Sequence, residues 1–502
     1  MQCRAPAALK RAFLTTCPGG RAIGSGHFEL SVLIFDIGPS EDGHANRYRD
    51  AGQIPGGQGA IMYTRQRNTP RKLADVRDSL HRAIIHPGFR RYFTNTAWLF
   101  GEQILRIVAG LLVGVYVTRY LGPDKYGVFS YAIAFVALFA SVAKLGLDGI
   151  VVRDLVKNPG RQDAYLGTAF WLKAMGALLA GACVAVALAG IDNPNSTKLY
   201  ISIIAGGLIF QSMEVVDFYF QSQVQARYVS ICKIIQLSIS SLLKLYFVAT
   251  GADLVWFVAV SVVDQATLAA ALLYAYLSQK NSSFLAVFDV EIAKHLLRGA
   301  GPLLVSSILV AVYVNIDRIL LKEMTDVRAV GIYTAATALV LPLYLVPRLI
   351  TNSVYPAMVN AKQRSEDEYN RRISMLYKYL LVFGAIASAF VSLLAPEIIG
   401  LLYGHRFDES ATVLRIYVWN LLVICFSSVF GKWLLTENLQ RLTPAFSLVA
   451  IVSTVTGCLV MIPHWGVNGA AMAALFGQLV PFIGFAVGNK QLRAQVNRAF
   501  RF

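Results

Sequence analysis

From residue 94 onward the sequence alternates long apolar stretches with short polar breaks, and few folds are open to a chain of that kind. Twelve stretches occupy approximately 94–118, 125–147, 164–190, 199–220, 228–250, 253–278, 300–321, 330–356, 374–395, 410–434, 442–462 and 466–488. Each is about 20 to 27 residues, enough to cross roughly 30 Å of hydrocarbon with some tilt. Inside hydrocarbon the backbone must satisfy its own polar groups, which a helix does. The expected fold class is all-α: a polytopic membrane protein with about twelve transmembrane helices.

Charge placement supports this reading. The chain carries a net charge of +17, yet only 15% of its residues are charged, below the roughly 25% of a soluble domain. Its basic groups lie mostly in short segments between apolar runs, which argues against nucleic acid as a partner and for a membrane surface. Loops after even-numbered spans, with the C-terminal tail, hold seventeen Lys and Arg, among them Arg153, Lys157, Arg227, Lys294, Arg371, Lys432 and Arg493. Loops after odd-numbered spans hold six: Arg119, Lys125, Lys198, Lys322, Arg328 and Arg406. That asymmetry predicts both termini in the cytoplasm.

The organisation follows. Residues 1–90 are Gly-, Pro- and Arg-rich, lack a sustained apolar period, and read as a disordered basic extension. The simplest reading of 1–61 is an upstream extension, with translation starting at Met62. Tyr126-Gly-Val-Phe-Ser-Tyr-Ala-Ile-Ala aligns with Val330-Gly-Ile-Tyr-Thr-Ala-Ala-Thr-Ala at an offset of 204, placing Gly127 over Gly331. This weak repeat divides the chain into an N-lobe (91–280, spans one to six), an inter-lobe cytoplasmic linker (281–298), a C-lobe (299–489, spans seven to twelve) and a basic cytoplasmic tail (490–502). In transporters of that build the substrate lies at the lobe interface. Cys183, Cys232, Cys425 and Cys458 fall inside apolar runs without a CxxC and read as small buried residues, not disulfides or metal ligands.

An ionised side chain at the centre of a span costs about 2.5–3.5 kcal/mol or more, so each one needs a reason. Glu102 and Arg106 stand at i, i+4, the spacing of a same-face pair. Asp148, Lys173, Lys378 and Arg415 read as residues snorkelling from helix ends. The fourth span carries Gln211, Glu214 and Asp217, the sixth Asp264, and the seventh Asn315, Asp317 and Arg318. Lys233, Gln236, Ser240 and Lys244 form a polar stripe on the fifth. Thr334, Thr337, Tyr344 and Arg348 share a face of the eighth, which Pro342 and Pro347 should kink. Gly122-Pro123 should end the first span in a tight turn. The Lys233–Lys244 stripe and Arg348 point to a water-filled cavity. Because basic groups outnumber acidic ones in the spans, an anion such as a diphosphate or an acidic sugar suits that cavity.

No G-x-x-x-x-G-K-[ST], H-E-x-x-H, G-x-S-x-G or loop Asp-x-Asp occurs, and the external loop at 396–409 is short. These features argue against an enzyme, and no cofactor or metal is expected.

Trp98-Leu-Phe-Gly-Glu-Gln-Ile-Leu-Arg, Val117-Thr-Arg-Tyr-Leu-Gly-Pro-Asp-Lys-Tyr-Gly-Val-Phe-Ser-Tyr-Ala, Leu145-Gly-Leu-Asp-Gly-Ile-Val-Val-Arg-Asp-Leu and Leu401-Leu-Tyr-Gly-His-Arg-Phe carry a resemblance. Over roughly 90–490 the chain resembles the bacterial polysaccharide (O-antigen type) flippases of the multidrug/oligosaccharidyl-lipid/polysaccharide exporter superfamily. The resemblance implies a two-lobed transporter of twelve to fourteen helices. It would move undecaprenyl-diphosphate-linked oligosaccharide across the inner membrane by alternating access, with membrane lipids and other polysaccharide-assembly proteins as partners. By position, Glu102, Arg106, Asp148, Arg153 and Asp317 match recurrent charged sites of that family, whereas the 1–90 extension departs from its pattern. On this reading Arg106, Lys233, Lys244, Arg318 and Arg348 line a cationic cavity that meets the substrate. Glu102, Asp148, Asp217, Asp264 and Asp317 balance those charges or couple an ion. The competing expectations are a cation-coupled drug exporter with a more acidic cavity, a non-transporting subunit of a polysaccharide-synthesis complex, and a lipid-linked sugar polymerase.

Overall fold

The computed structural model describes residues 87–279 and 284–488, and every regular element in them is helical. The extension up to residue 86, linker positions 280–283 and the tail at 490–502 lie outside the described residues.

Ten apolar helical stretches are long enough to cross a membrane. Two of them break at a glycine. Helix α1 (Pro87–Lys144) departs from helical geometry at Gly122, with φ 70° and ψ 171°. At the other end of the chain, the helix Thr443–Gly488 departs at Gly466, with φ 52° and ψ −128°. A side chain would resist both conformations, and glycine accepts them. Each of these two stretches therefore contains two limbs of spanning length, and the limbs fall on the first, second, eleventh and twelfth spans read from the sequence. The turn expected at Gly122-Pro123 is the first of these breaks.

After α1 come the short amphipathic α2 (Asp148–Lys157) and α3 (Gln162–Gly190). The fourth span is composite: α4 (Asn195–Gly206), a 3-10 segment Gly207–Glu214, and α5 (Val215–Ser222). Helices α6 (Ala226–Ala249) and α7 (Leu254–Leu277) complete the N-lobe. Helix α8 (Val290–Met324) starts earlier than the linker at 281–298 would allow, because Asp289 caps it by accepting from the Glu291 and Ile292 amides. The eighth span is α9 (Val327–Val340), a 3-10 turn Leu341–Tyr344 and α10 (Leu345–Arg364). The unwinding expected at the Pro342/Pro347 pair is that turn, with Pro347 in the first turn of α10, where its missing donor costs little. Then follow α11 (Glu366–Leu393), α12 (Ala395–Leu402), α13 (Glu409–Tyr417), α14 (Asn420–Thr436) and α15 (Thr443–Gly488).

Lipid supplies no hydrophobic drive between helices, so close backbone approach and small residues hold such bundles together. The tightest approach joins the lobes. A Cβ on Gly127 would lie 1.7 Å from the Val327 carbonyl oxygen, and one on Gly331 2.0 Å from that of Pro123. Each glycine sits on the carbonyl four residues before its repeat partner, so α1 and α9 cross about a pseudo-twofold axis. Large apolar side chains such as Leu242, Tyr274, Leu393 and Leu401 stay exposed and form the face that meets lipid.

The buried cores fix the shape. One cluster contains residues of both lobes, including Val117, Tyr131, Phe135, Val330, Tyr333, Phe407 and Val418, and it surrounds the Gly127/Gly331 crossing. Toward the end of the bundle where α1 and α8 begin, two separate clusters replace it. Leu147, Leu155, Tyr219, Phe284 and Leu296 belong to one, and Met358, Tyr369, Tyr377, Phe430 and Trp433 to the other. The lobes share a core at one end and part at the other.

Candidate functional site

A cavity of about 1830 Å³ fills the space between the parting lobes. It exceeds the roughly 300–1,000 Å³ of clefts that take drug-sized ligands. Its N-lobe wall is α1, whose lining residues Gln103, Arg106, Gly110, Gly114 and Thr118 recur at helical spacing. The rest of the wall comes from α8, α9, α10, α13, α14 and α15. On α8 the lining stripe starts at Leu303 and ends at Asp317, a climb of roughly 21 Å at 1.5 Å per residue. Gln103, Leu303, Tyr355, Lys432 and Thr443 lie toward the open end, and Tyr126, Asp317, Tyr403 and Tyr417 lie at the closed end beneath the shared core.

The ten candidate residues divide. Arg106, Arg348 and Asp317 are on the cavity wall. Arg106 Nε donates to Glu102 Oε1 at 2.7 Å, so the i, i+4 pair of the sequence forms with Glu102 buried behind it. Arg318 is not on the wall, and its Nε is buried without a hydrogen-bond partner among the described residues. Lys233 and Lys244 are also off the wall. Lys233 Nζ instead donates to Asp217 Oδ2 at 3.0 Å, inside the N-lobe. Asp264 accepts from Gln236 Nε2 at 3.0 Å and is the carboxylate whose field reaches Lys244. The polar stripe of α6 therefore faces α5 and α7. Periodicity identified the residues that share a face, and packing decided that this face meets other helices.

Lys173 also departs from expectation. It does not snorkel. Its side chain is 1% exposed, with Nζ 3.0 Å from Glu214 Oε2, 3.9 Å from Asp148 Oδ1 and 4.9 Å from the centre of the Phe218 ring. Lys173 thus bridges Glu214 and the half-exposed Asp148 in the N-lobe, beside the Lys233–Asp217 pair. Lys378 and Arg415 are exposed.

Two kinds of residue on the wall were not singled out from the sequence. Lys432, counted among loop cations, lies in α14 facing the cavity, its Nζ 5.0 Å from the centre of the Tyr355 ring. The polar spacing Ser427, Ser428, Gly431, Lys432 is the signal that would have placed it. The second kind is Tyr313 and Tyr417, which stand with Tyr344 at the closed end. Of the face predicted on the eighth span, Tyr344 and Arg348 reach the cavity, while Thr334 and Thr337 are buried in packing. Cys232, Cys425 and Cys458 are buried free thiols, as read, whereas Cys183 is partly exposed. Among the described residues no cluster of His, Cys, Asp and Glu is placed to hold a metal.

Two helical lobes, closed at one end around a shared crossing and parted at the other around a large cavity with cations on its wall, define the fold of a membrane transporter. Solved structures with this fold include an inward-facing MATE multidrug transporter (TM-score 0.62, 14% identity, 78% of this chain and 95% of that one). The lipid II flippase MurJ in an inward closed conformation has it too (TM-score 0.61, 14% identity, 81% and 90%). The chain belongs to the polysaccharide biosynthesis protein family, which matches residues 93–362. A Shigella flexneri protein named for O-antigen transport is 25% identical over 66% of this chain and 80% of its own length. The flippase-named AglR of Haloferax volcanii is 24% identical over 76% and 79%. The capsular polysaccharide biosynthesis protein CapF of Staphylococcus aureus is 19% identical over 79% and 99%.

Proposed function

We propose that this chain flips oligosaccharide linked to undecaprenyl diphosphate, an O-antigen or exopolysaccharide repeat unit, across the bacterial inner membrane by alternating access. The observation that carries this reading is the tapered cavity between the lobes, with Arg106, Arg348 and Lys432 on its wall. Two guanidinium groups and an ammonium suit a diphosphate, because charge-assisted hydrogen bonds are the strong ones and Arg meets phosphate through two donors. The loop charges support an open end that faces the cytoplasm, where lipid-linked sugars are assembled, with both termini on that side. Rocking of the lobes about the Gly127/Gly331 crossing would open the other end. Glu102 and Asp317 balance charge beside the cavity, while Asp148, Asp217 and Asp264 do so within the N-lobe. A cationic wall repels the cationic substrates of a drug exporter, and a non-transporting subunit has no use for such a cavity.

In a strain lacking its own flippase, Arg348→Ala should lower surface polysaccharide by about tenfold or more at equal membrane abundance, since a hydrogen bond to a charged group contributes about 1.5–3 kcal/mol. Lys378→Ala, on the exposed face of α11, should restore it as well as the unmodified chain does. Full restoration by the Arg348 variant would sink the assignment of the cavity.

A further inference from the structure

The cavity changes character along its length. Arg106 and Lys432 stand toward the open end, and Arg348 stands between the ends, seven positions, about 10 Å, from Tyr355 at the mouth and four, about 6 Å, from Tyr344. At the closed end the wall carries no Lys or Arg among the described residues. It carries Asp317, the rings and hydroxyls of Tyr313, Tyr344 and Tyr417, and Thr454.

One of these groups is poised for a ligand. Asp317 is 8% exposed, and its carboxylate already accepts from Tyr333 Oη at 2.5 Å and from the Arg318 amide at 2.8 Å. A carboxylate has further lone pairs to offer a third donor. Thr454 lies beside it on the wall, but its hydroxyl oxygen is buried against Gly477 of the same helix.

We propose that the closed end is a docking site for the distal sugar of the glycan, and that it takes a neutral, hydroxyl-bearing sugar in preference to an acidic one. The proposal rests on the flippase reading and adds the orientation and substrate class. The diphosphate stays with Arg106, Arg348 and Lys432, nearer the membrane leaflet that holds its lipid. The sugar farthest from it then reaches the tyrosines, whose rings cover its apolar faces while the hydroxyls of Tyr313 and Tyr417 exchange hydrogen bonds with it. Asp317 accepts from a sugar hydroxyl. A uronic acid in the same place would set one carboxylate against another in a site shielded from water, where like charges repel strongly. The Arg318 guanidinium lies off the wall and offers that acid no direct partner.

The test uses the full chain in lipid nanodiscs and two synthetic probes. Both are undecaprenyl-diphosphate trisaccharides, identical except that one ends in galactose and the other in galacturonic acid. The galactose probe should bind at least about tenfold more tightly. Asp317→Asn should shrink that ratio to about threefold or less, chiefly by tightening the acidic probe. Arg348→Ala should weaken both probes by a common factor and leave the ratio in place. Equal affinities for the unmodified chain would overturn the proposal while leaving the flippase reading intact. So would an Asp317→Asn variant that weakens both probes alike, which is the mark of a merely structural carboxylate. If neither probe binds, the flippase reading fails and this proposal with it.

Discussion

Replacing Gly127 with alanine is expected to hold the closed end of the bundle apart and to stop transport. The added Cβ would stand 1.7 Å from the Val327 carbonyl oxygen, and neither group belongs to a flexible side chain that can move away. Helices α1 and α9 would have to separate by roughly 1 Å or more, and a packed seam does not deform by small amounts without losing its contacts. The same crossing anchors the core that both lobes share, so the strain falls on the seal itself. Thr118, buried on the cavity wall near that end, provides the readout. In a cysteine-free background, Thr118→Cys should resist an impermeant maleimide added outside intact cells, and become reactive when Gly127→Ala is also present. Gly331→Ala, which meets the Pro123 carbonyl from the other side, should reproduce the effect. Gly181→Ala, with open space around it, should change nothing. Normal transport by Gly127→Ala, with the Thr118→Cys thiol still protected, would show that the crossing does not seal the cavity.

The second large effect concerns stability. Lys173→Met keeps the length of the side chain and removes its charge, leaving Glu214 and Asp148 without their buried cation. Breaking a buried pair from one side costs about 3–5 kcal/mol, and the lower end applies here because the carboxylates retain some exposure. The purified variant should therefore melt well below the unmodified chain. Lys173→Met combined with Glu214→Gln should recover much of the loss, because removing both partners avoids an uncompensated charge. An unchanged melting temperature for the single variant would mean that Lys173 carries no stabilising interaction.

The fold was legible in the sequence wherever one local property decided it. Length and apolar content placed the spans, and glycine chemistry placed the Gly122 break. The Pro342/Pro347 pair marked the 3-10 turn of the eighth span, and the weak repeat pairs Gly127 with Gly331, the two glycines that meet at the crossing. Residues 290–298 read as linker because their charges mask the helical pattern, whereas the cap at Asp289 starts α8 there. The candidate site was less legible. Arg106 and Arg348 reach the cavity, but Lys233 faces Asp217 on a neighbouring helix, and Lys173 is buried in an ion pair. Helical spacing fixes the direction in which a side chain leaves its own helix. It cannot say whether water, lipid or another helix lies there. For the same reason Lys432 reads as a loop cation in the sequence, whereas α14 carries it to the cavity wall.

The most direct test is transfer of the lipid itself. The purified chain, reconstituted in liposomes, would be given an undecaprenyl-diphosphate oligosaccharide with a fluorescent sugar, and the loss of signal to an impermeant quencher would be followed with time. A transfer rate well above that of protein-free liposomes, cut at least about tenfold by Arg348→Ala, is the expected result. A rate equal to that of protein-free liposomes, from a chain that is folded and inserted, would contradict it.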